Sequence, residues 1–118
     1  MIVDILNILL ALVSIGFGLI GWLAPRYTMD LLDLSADGST MGVSEVRAAS
    51  GALFVGLGAG ALVLNDPLAF AMIGFAWGGA AIGRLTSIIA DEAPTRQTYV
   101  FFASEVVVAA LALGINLL

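Results

Sequence analysis

The sequence predicts an all-α integral membrane protein, a four-helix bundle with a short interfacial helix in its first loop. Of the 118 residues, 61% are hydrophobic and only 11% are charged, whereas soluble domains carry about 25% charged residues. The chain contains four apolar runs, each near the roughly 20 residues that a helix needs to cross a hydrocarbon core. The runs are continuously apolar, and backbone groups in lipid need partners within their own segment, so helices rather than barrel strands are expected.

The four runs predict a single domain over residues 1–118. Its transmembrane helices are expected at about 4–24, 43–64, 67–90 and 97–118. A cleaved signal peptide is the alternative for the first run. We favour a retained helix, because the leading residues carry no Lys or Arg and the apolar stretch is long for a signal peptide.

The connections between the runs carry turn signals. Asp66 is placed as an N-cap and Pro67 as the first helical residue, so the second and third helices are predicted to be antiparallel neighbours. Thr95 is a candidate cap for the fourth helix. The first connection contains a short predicted helix with two different faces. Its polar face carries Arg26, Asp30 and Asp33, and its other face carries Tyr27, Leu31 and Leu34. This pattern is typical of a helix in the membrane interface, and a loop covering the mouth of the bundle is the alternative.

Missing residue types exclude several kinds of chemistry. The chain has no Cys and no His, which removes disulfides, thiolate chemistry and the commonest general base and metal ligand. No cofactor or metal site is therefore predicted. The net charge of −5 argues against a nucleic-acid partner. The glycine-rich stretches lack the strand and the Lys that a phosphate loop requires.

Four charged residues lie within the apolar helices, all in one leaflet. Glu45 and Arg47 are near the start of the second helix, whereas Arg84 and Glu105 lie on the order of 10 Å below the boundary in the third and fourth. A lone charge at mid-membrane costs about 2.5–3.5 kcal/mol, so a paired cluster is predicted. We expect Arg84 to pair with Glu105, with Arg47 or Glu45 completing the network, and the opposite assignment stays open.

This cluster is the candidate ligand or ion-pair site, and no catalytic residue is predicted. A purely structural role has equal weight, because buried ion pairs can determine which helices meet. Glu45 and Arg47 can also reach water by extending toward the surface.

Glycines predict where the helices approach one another closely. The GxxxG pairs are Gly56 with Gly60, Gly74 with Gly78, and Gly79 with Gly83. Small faces of this kind let helix backbones pack closely in lipid. Two pairs on the third helix suggest contacts on two of its sides. The first and fourth helices carry further small residues, so we expect a homo-oligomer or a larger membrane complex.

The stretches "SEVRAASGA", "GRLTS" and "FFASEVVVA" resemble an uncharacterised bacterial family of small four-helix membrane proteins, a domain of unknown function with a DoxX-like outline. The resemblance spans nearly the whole chain and implies the same fold, but no activity. The matching positions are Glu45, Arg47, Gly51, Gly83, Arg84 and Glu105. Ser50 stands where the resemblance implies an aromatic residue, and Ala52 where it implies a second Gly, so a differently shaped pocket is expected.

Three classes of function stay open. The favoured one is a small membrane helper or binding protein, whose Glu/Arg cluster recognises a lipophilic ligand or a partner's membrane helix. The alternative is a small dimeric transporter or channel with a charged pathway. Small multidrug transporters, however, place an acid in their first helix, where this chain has only Asp4 and Asn7. A lipid-modifying enzyme using Glu105 or Glu45 is less favoured.

The localisation predicted is the bacterial inner membrane, with membrane lipids as partners. Arg26 and Arg96 flank the side of the first and third loops, and the other side has no Lys or Arg. The positive-inside rule then places these loops in the cytoplasm and both termini outside.

Overall fold

The computed structural model describes residues 1–118 as helices joined by short loops, with no strand. The segments are α1 (Ile2–Leu23), α2 (Pro25–Leu31), α3 (Met41–Arg47), a π-helical turn (Ala48–Ala52), α4 (Leu53–Leu64), α5 (Pro67–Ala90) and α6 (Arg96–Leu117). The segments α3, π-helical turn and α4 run on as one helix, the second span (Met41–Leu64). Together with α1, α5 and α6 it gives four helices long and apolar enough to cross a membrane. The predicted all-α fold class is confirmed, and each span ends within two residues of its expected limits.

The molecule consists of two helical hairpins. The first span packs along α4 and the π-helical turn, and α5 packs along α6, whereas contacts between the two hairpins are sparser. The whole is flattened, with extents of 48 × 30 × 16 Å. The main buried core comprises Leu10, Ala11, Ala61, Phe70, Ile73, Trp77, Val108, Ala109 and Ala112. Most of these residues lie in the half of the molecule that contains the chain termini.

Asn7 and Asn116 join α1 to α6 at the end of the molecule that carries the termini. Each side-chain amide donates to the other, with Nδ2–Oδ1 distances of 2.9 and 2.7 Å. Asn116 also donates to the carbonyl of Ala112 at 2.8 Å. In apolar surroundings such a reciprocal pair satisfies polar groups that have no water to bind. We call these two residues the amide clasp.

The π-helical turn interrupts the second span and is not anticipated from the sequence. It brings the backbone of the second span against the end of α1. A Cβ atom on Gly51 would overlap the backbone of Trp22, and one on Gly21 would overlap the carbonyl of Ser50. Gly58 continues the contact, since its Cβ would overlap the carbonyl of Ala11. Glycine is therefore required at these positions by the close approach of two backbones.

The predicted glycine contacts occur only in part. Gly74 packs against Leu113 of α6, and Gly78 is in ordinary contact distance of Ala109. In contrast, four predicted contact glycines have open space where a Cβ would stand, and these are Gly56, Gly60, Gly79 and Gly83. They do not pack helices together within one chain, and on the second span it is Gly51 and Gly58 that contact α1.

The predicted helix caps are present. The Asp66 carboxylate accepts a hydrogen bond from the backbone N–H of Leu68 at 2.8 Å, and the Thr95 hydroxyl accepts one from Thr98 at 3.4 Å. Each cap satisfies an N–H group that has no partner within the helix. The caps define where α5 and α6 begin, and so where the turns that precede these two helices end.

The short helix α2 is present, and the residues that it buries in the protein lie outside the predicted apolar stripe. Pro25 and Met29 are buried, and Met29 packs with Val43 and Val46 of α3. The predicted apolar stripe of Tyr27, Leu31 and Leu34 is exposed on the protein, which is compatible with an apolar face turned toward lipid. The orientation of α2 follows the start of the second span, because α2 packs against α1 and α3.

Candidate functional site

Arg84 of α5 and Glu105 of α6 form a bidentate salt bridge. Arg84 Nε donates to Glu105 Oε1 at 2.7 Å, and Nη2 donates to Oε2 at 3.1 Å. The planar guanidinium matches the two carboxylate oxygens, which makes this the strongest geometry for such a pair. The close packing of α5 on α6 brings the two side chains together, and this is the pairing that the sequence suggested.

The two members of the pair differ in their exposure. The Glu105 side chain is 10% exposed and that of Arg84 is 29% exposed. Both carboxylate oxygens accept from Arg84, whereas Arg84 Nη1 has no hydrogen-bond partner in the protein. The guanidinium carbon also lies 5.3 Å from the ring centroid of Phe101, within the range of a cation–π contact. The carboxylate is therefore enclosed, while the cation retains free donors.

A cleft of about 340 Å³ lies beside this pair, between the two hairpins. Its walls carry four aromatic side chains, those of Phe17, Phe54, Trp77 and Phe101. Phe17 and Phe54 meet the Trp77 ring edge-on, with centroid distances of 5.5 and 5.4 Å. The amide clasp and the main core close the hairpins at the far end, so the space between them remains on the side of α2.

Few polar groups reach the cleft besides the ion pair. Thr28 and Ser104 donate their hydroxyl hydrogens to carbonyls of their own helices, at 3.0 and 2.9 Å. The hydroxyl of Ser50, on the π-helical turn, makes no hydrogen bond within the protein. The indole nitrogen of Trp77 is buried and also has no partner. A π-helical turn within an α-helix often marks a functional site, and here it forms one wall of the cleft.

A second, smaller cavity of about 200 Å³ lies on the loop side of the ion pair. It shares Leu31, Leu32, Arg84 and Phe101 with the cleft, so Arg84 borders both spaces. The loop-side cavity is lined by three acids, Asp33, Asp91 and Glu92. No three acidic side chains are grouped so that they could hold a metal ion.

Glu45 and Arg47 do not join the ion pair. Arg47 Nη1 instead donates to the carbonyl of Trp22 at 2.7 Å, which satisfies an acceptor at the C-terminal end of α1. Glu45 is exposed and makes no salt bridge. The predicted contribution of the second span to the ion-pair network is therefore not found, because α3 packs mainly against α1 and α2.

Sequence reasoning missed most of the cleft. Its aromatic lining residues are indistinguishable in the sequence from other apolar residues of the helices, and no motif marked Thr28 or Ser104 as part of a site. The one useful indication was Ser50, a small residue where the resemblance implied an aromatic one. It lines the cleft, and a large side chain at this position would occupy that space.

The fold and the site together define a small membrane protein with four candidate spans and an ion pair beside an apolar cleft. The chain belongs to the family described as "Domain of unknown function (DUF4345)", whose sequence model matches residues 2–115. No curated protein and no solved structure matches this chain. The expectation of an uncharacterised family is thus confirmed, while a bacterial origin and a DoxX-like relation stay predictions.

Proposed function

We propose that this protein binds a lipophilic molecule within the membrane, in the cleft between its two hairpins. The observation that carries the proposal is an apolar cleft with the free donors of one charged side chain, Arg84, at its wall. Apolar walls with a few convergent polar groups are typical of small-molecule sites. The proposal includes the predicted location in a bacterial inner membrane, with the loops that follow α1 and α5 in the cytoplasm.

The exposure of the lining residues supports entry from the bilayer. Phe17 and Ile20 of α1 line the cleft and are 47% and 44% exposed. Ala49, on the opposite wall, is exposed as well. All three lie within helices long enough to span the membrane. A molecule dissolved in lipid can therefore reach the cleft sideways, without passing through water.

The geometry of the ion pair favours binding over catalysis or transport. Both oxygens of Glu105 accept hydrogen bonds from Arg84 and the side chain is only 10% exposed, so this carboxylate is held as the counter-charge of the guanidinium. The second span contributes no charged side chain to the cleft. Arg84 and Glu105 are thus the only charged residues that line it, and a charged transport pathway would have no further charged group along it. These two features support a resident or reversibly bound ligand.

The proposal is tested by filling the cleft with a larger side chain and identifying which lipophilic molecule the protein no longer retains. We expect native extraction of the wild-type protein into lipid discs, followed by mass spectrometry of the extract, to show one lipophilic species enriched over the bulk lipids. Ser50→Phe should remove this species, because its ring would occupy the cleft. Val63→Phe is the matched control, since Val63 is 83% exposed and lies outside the cleft lining.

The comparison requires folded proteins. Both variants should therefore keep the wild-type helix content and a single thermal transition. The proposal fails if no species is enriched in the wild type, or if Ser50→Phe retains the same species at the same level.

A further inference from the structure

The charges around the cleft identify a chemical class of ligand, and this step rests on the proposed function. We infer that the cleft selects a neutral amphiphile that offers a carbonyl oxygen to Arg84, in preference to an ionised fatty acid of the same chain length. The shared chemistry is an uncharged acceptor oxygen on an apolar chain, such as the ester carbonyl of a lipid.

The charges that line the cleft are balanced within the protein. Arg84 and Glu105 compensate each other through two hydrogen bonds, so the charged groups that line the cleft sum to zero. A bound carboxylate would leave one negative charge uncompensated in apolar surroundings, which is strongly unfavourable. A neutral ligand keeps the balance that the protein has already established.

Arg84 keeps unused hydrogen-bond donors beside the cleft. A guanidinium has five N–H donors and no acceptor, and only two of these donors are used by Glu105. The carboxylate oxygens are both engaged, and Thr28 and Ser104 donate to backbone carbonyls. Because the Glu105 side chain is 10% exposed and that of Arg84 is 29% exposed, the accessible unused groups of the ion pair are the N–H donors of Arg84. The Ser50 hydroxyl in the cleft lining can also donate, and the complement of these donors is an acceptor such as a carbonyl oxygen.

Acidic residues border the loop side of Arg84. The cavity there is lined by Asp33, Asp91 and Glu92, with Arg84 the single cation among its lining residues. Acids on this side oppose an anionic head group that reaches past Arg84 toward the loops. The cleft side and the loop side thus disfavour an anion for separate reasons.

The aromatic walls and the lateral opening account for the apolar part of the ligand. The rings of Phe17, Phe54 and Trp77 line the cleft, and Phe17 belongs to a candidate membrane span and is 47% exposed. A chain attached to a carbonyl at Arg84 would therefore pass Trp77 and continue into the bilayer.

Trp77 provides a direct probe of this arrangement. The chain has two Trp residues, and Trp22 lies outside the cleft lining. In a Trp22→Phe background the remaining fluorescence reports on the cleft alone, and the Arg47 contact is kept because it uses the backbone carbonyl at this position. Bromine atoms on an acyl chain quench a tryptophan that they contact.

The experiment compares two probes with the same chain in detergent micelles, dibrominated stearic acid methyl ester and dibrominated stearate at a pH that ionises it. We expect saturable quenching by the ester, with a Kd at least about tenfold lower than that of stearate, because an uncompensated charge costs that factor or more. Ser50→Phe should abolish the saturable phase for the ester, and Val63→Phe should leave it unchanged.

Glu105→Gln provides the reversal. This substitution leaves Arg84 without a counter-charge, so we expect the preference to change toward stearate. A dibrominated phosphatidylcholine forms a third arm: quenching as strong as that by the methyl ester assigns the carbonyl to a bilayer lipid, and weaker quenching assigns it to a single-chain ester.

The outcomes separate the inference from the function on which it rests. Saturable quenching in which stearate binds as tightly as the ester, or more tightly, overturns the neutral-ligand inference and leaves the binding function intact. Absence of saturable quenching by any of the three probes overturns both. The comparison of the ester with stearate in the Trp22→Phe protein decides the matter even if Glu105→Gln proves too unstable to purify.

Discussion

A guanidinium within an apolar helix needs a counter-charge that also accepts its hydrogen bonds, and Glu105 on the neighbouring helix provides both for Arg84. Glu105 lies in the same half of the membrane-spanning region and is held against Arg84 by the packing of α5 on α6. A charged residue in an apolar helix therefore predicts an opposite charge at a similar depth on another helix. Removing either one leaves the other unpaired in a medium of low dielectric constant.

We predict that Arg84 and Glu105 are energetically coupled. Arg84→Met and Glu105→Gln should each destabilise the protein, by up to about 3–5 kcal/mol on the scale of buried pairs in soluble proteins or about 1–2 kcal/mol on that of membrane helices. The double variant should lose less than the sum of the two. A double-mutant cycle on denaturant stability in detergent measures this coupling, and strictly additive effects would show that the two residues are not partners.

At the level of elements, the second span is shaped by the contact of its π-helical turn with α1. Two backbones meet there without side chains between them, at Gly51 and Gly21. On the same span Gly56 and Gly60 face open space. The same residue type, a few positions apart in one helix, thus has opposite consequences for packing.

Gly51→Ala and Gly56→Ala form a matched pair that tests this difference. At Gly51 the added methyl group would overlap the backbone of Trp22, and we expect a loss of about 1–3 kcal/mol, as for other overpacked sites. At Gly56 the methyl group meets no atom, and the better helix propensity of Ala should leave stability unchanged or raise it by about 0.5–1 kcal/mol. Thermal unfolding in detergent measures both, and equal effects would contradict the contact.

For the whole molecule, the two hairpins contact each other at one end and are separated at the other, and this separation forms the cleft. The amide clasp and the main core hold the hairpins together at the end with the termini. On the side of α2 the hairpins are separated by the cleft. Self-association, which would cover the open glycine faces, stays a prediction.

The amide clasp gives a test of this architecture. Asn7→Leu should destabilise the protein by roughly 0.6–2 kcal/mol, because Asn116 loses its partner on α1 in apolar surroundings. Adding Asn116→Leu should recover part of the loss, since two apolar side chains then face each other. Unfolding of the single and double variants in detergent provides the measurement. If the double variant loses as much stability as the two single variants together, or more, the two residues do not act as a pair.

The orientation of the molecule in the membrane is a further prediction at this scale. Four crossings would place both termini on one side, opposite the end of the bundle that carries Arg26 in α2 and Arg96 at the start of α6. The positive-inside rule therefore predicts termini outside the cytoplasm. A reporter that is active only outside the cytoplasm should function at either terminus. Activity of a cytoplasm-dependent reporter at both ends would reverse the assignment.

The sequence by itself predicted four apolar helices, the caps at Asp66 and Thr95, and Arg84 with Glu105 as the favoured pair, with the opposite assignment left open. These features depend on local properties: bilayer thickness sets the length of an apolar run, a cap needs its neighbours in sequence, and a charge in lipid needs an opposite charge at similar depth. Each can be read without knowing how the helices are rotated.

Only the tertiary structure decided which face of each helix meets a neighbour. Successive residues point about 100° apart around a helix, and four uniformly apolar helices carry little pattern to select one rotation. The predictions for Gly56, Gly60 and Arg47 depended on that rotation and did not hold within the chain. The cleft depended on it as well, because it is the space left where two hairpins, closed at one end by Asn7 and Asn116, fail to meet at the other.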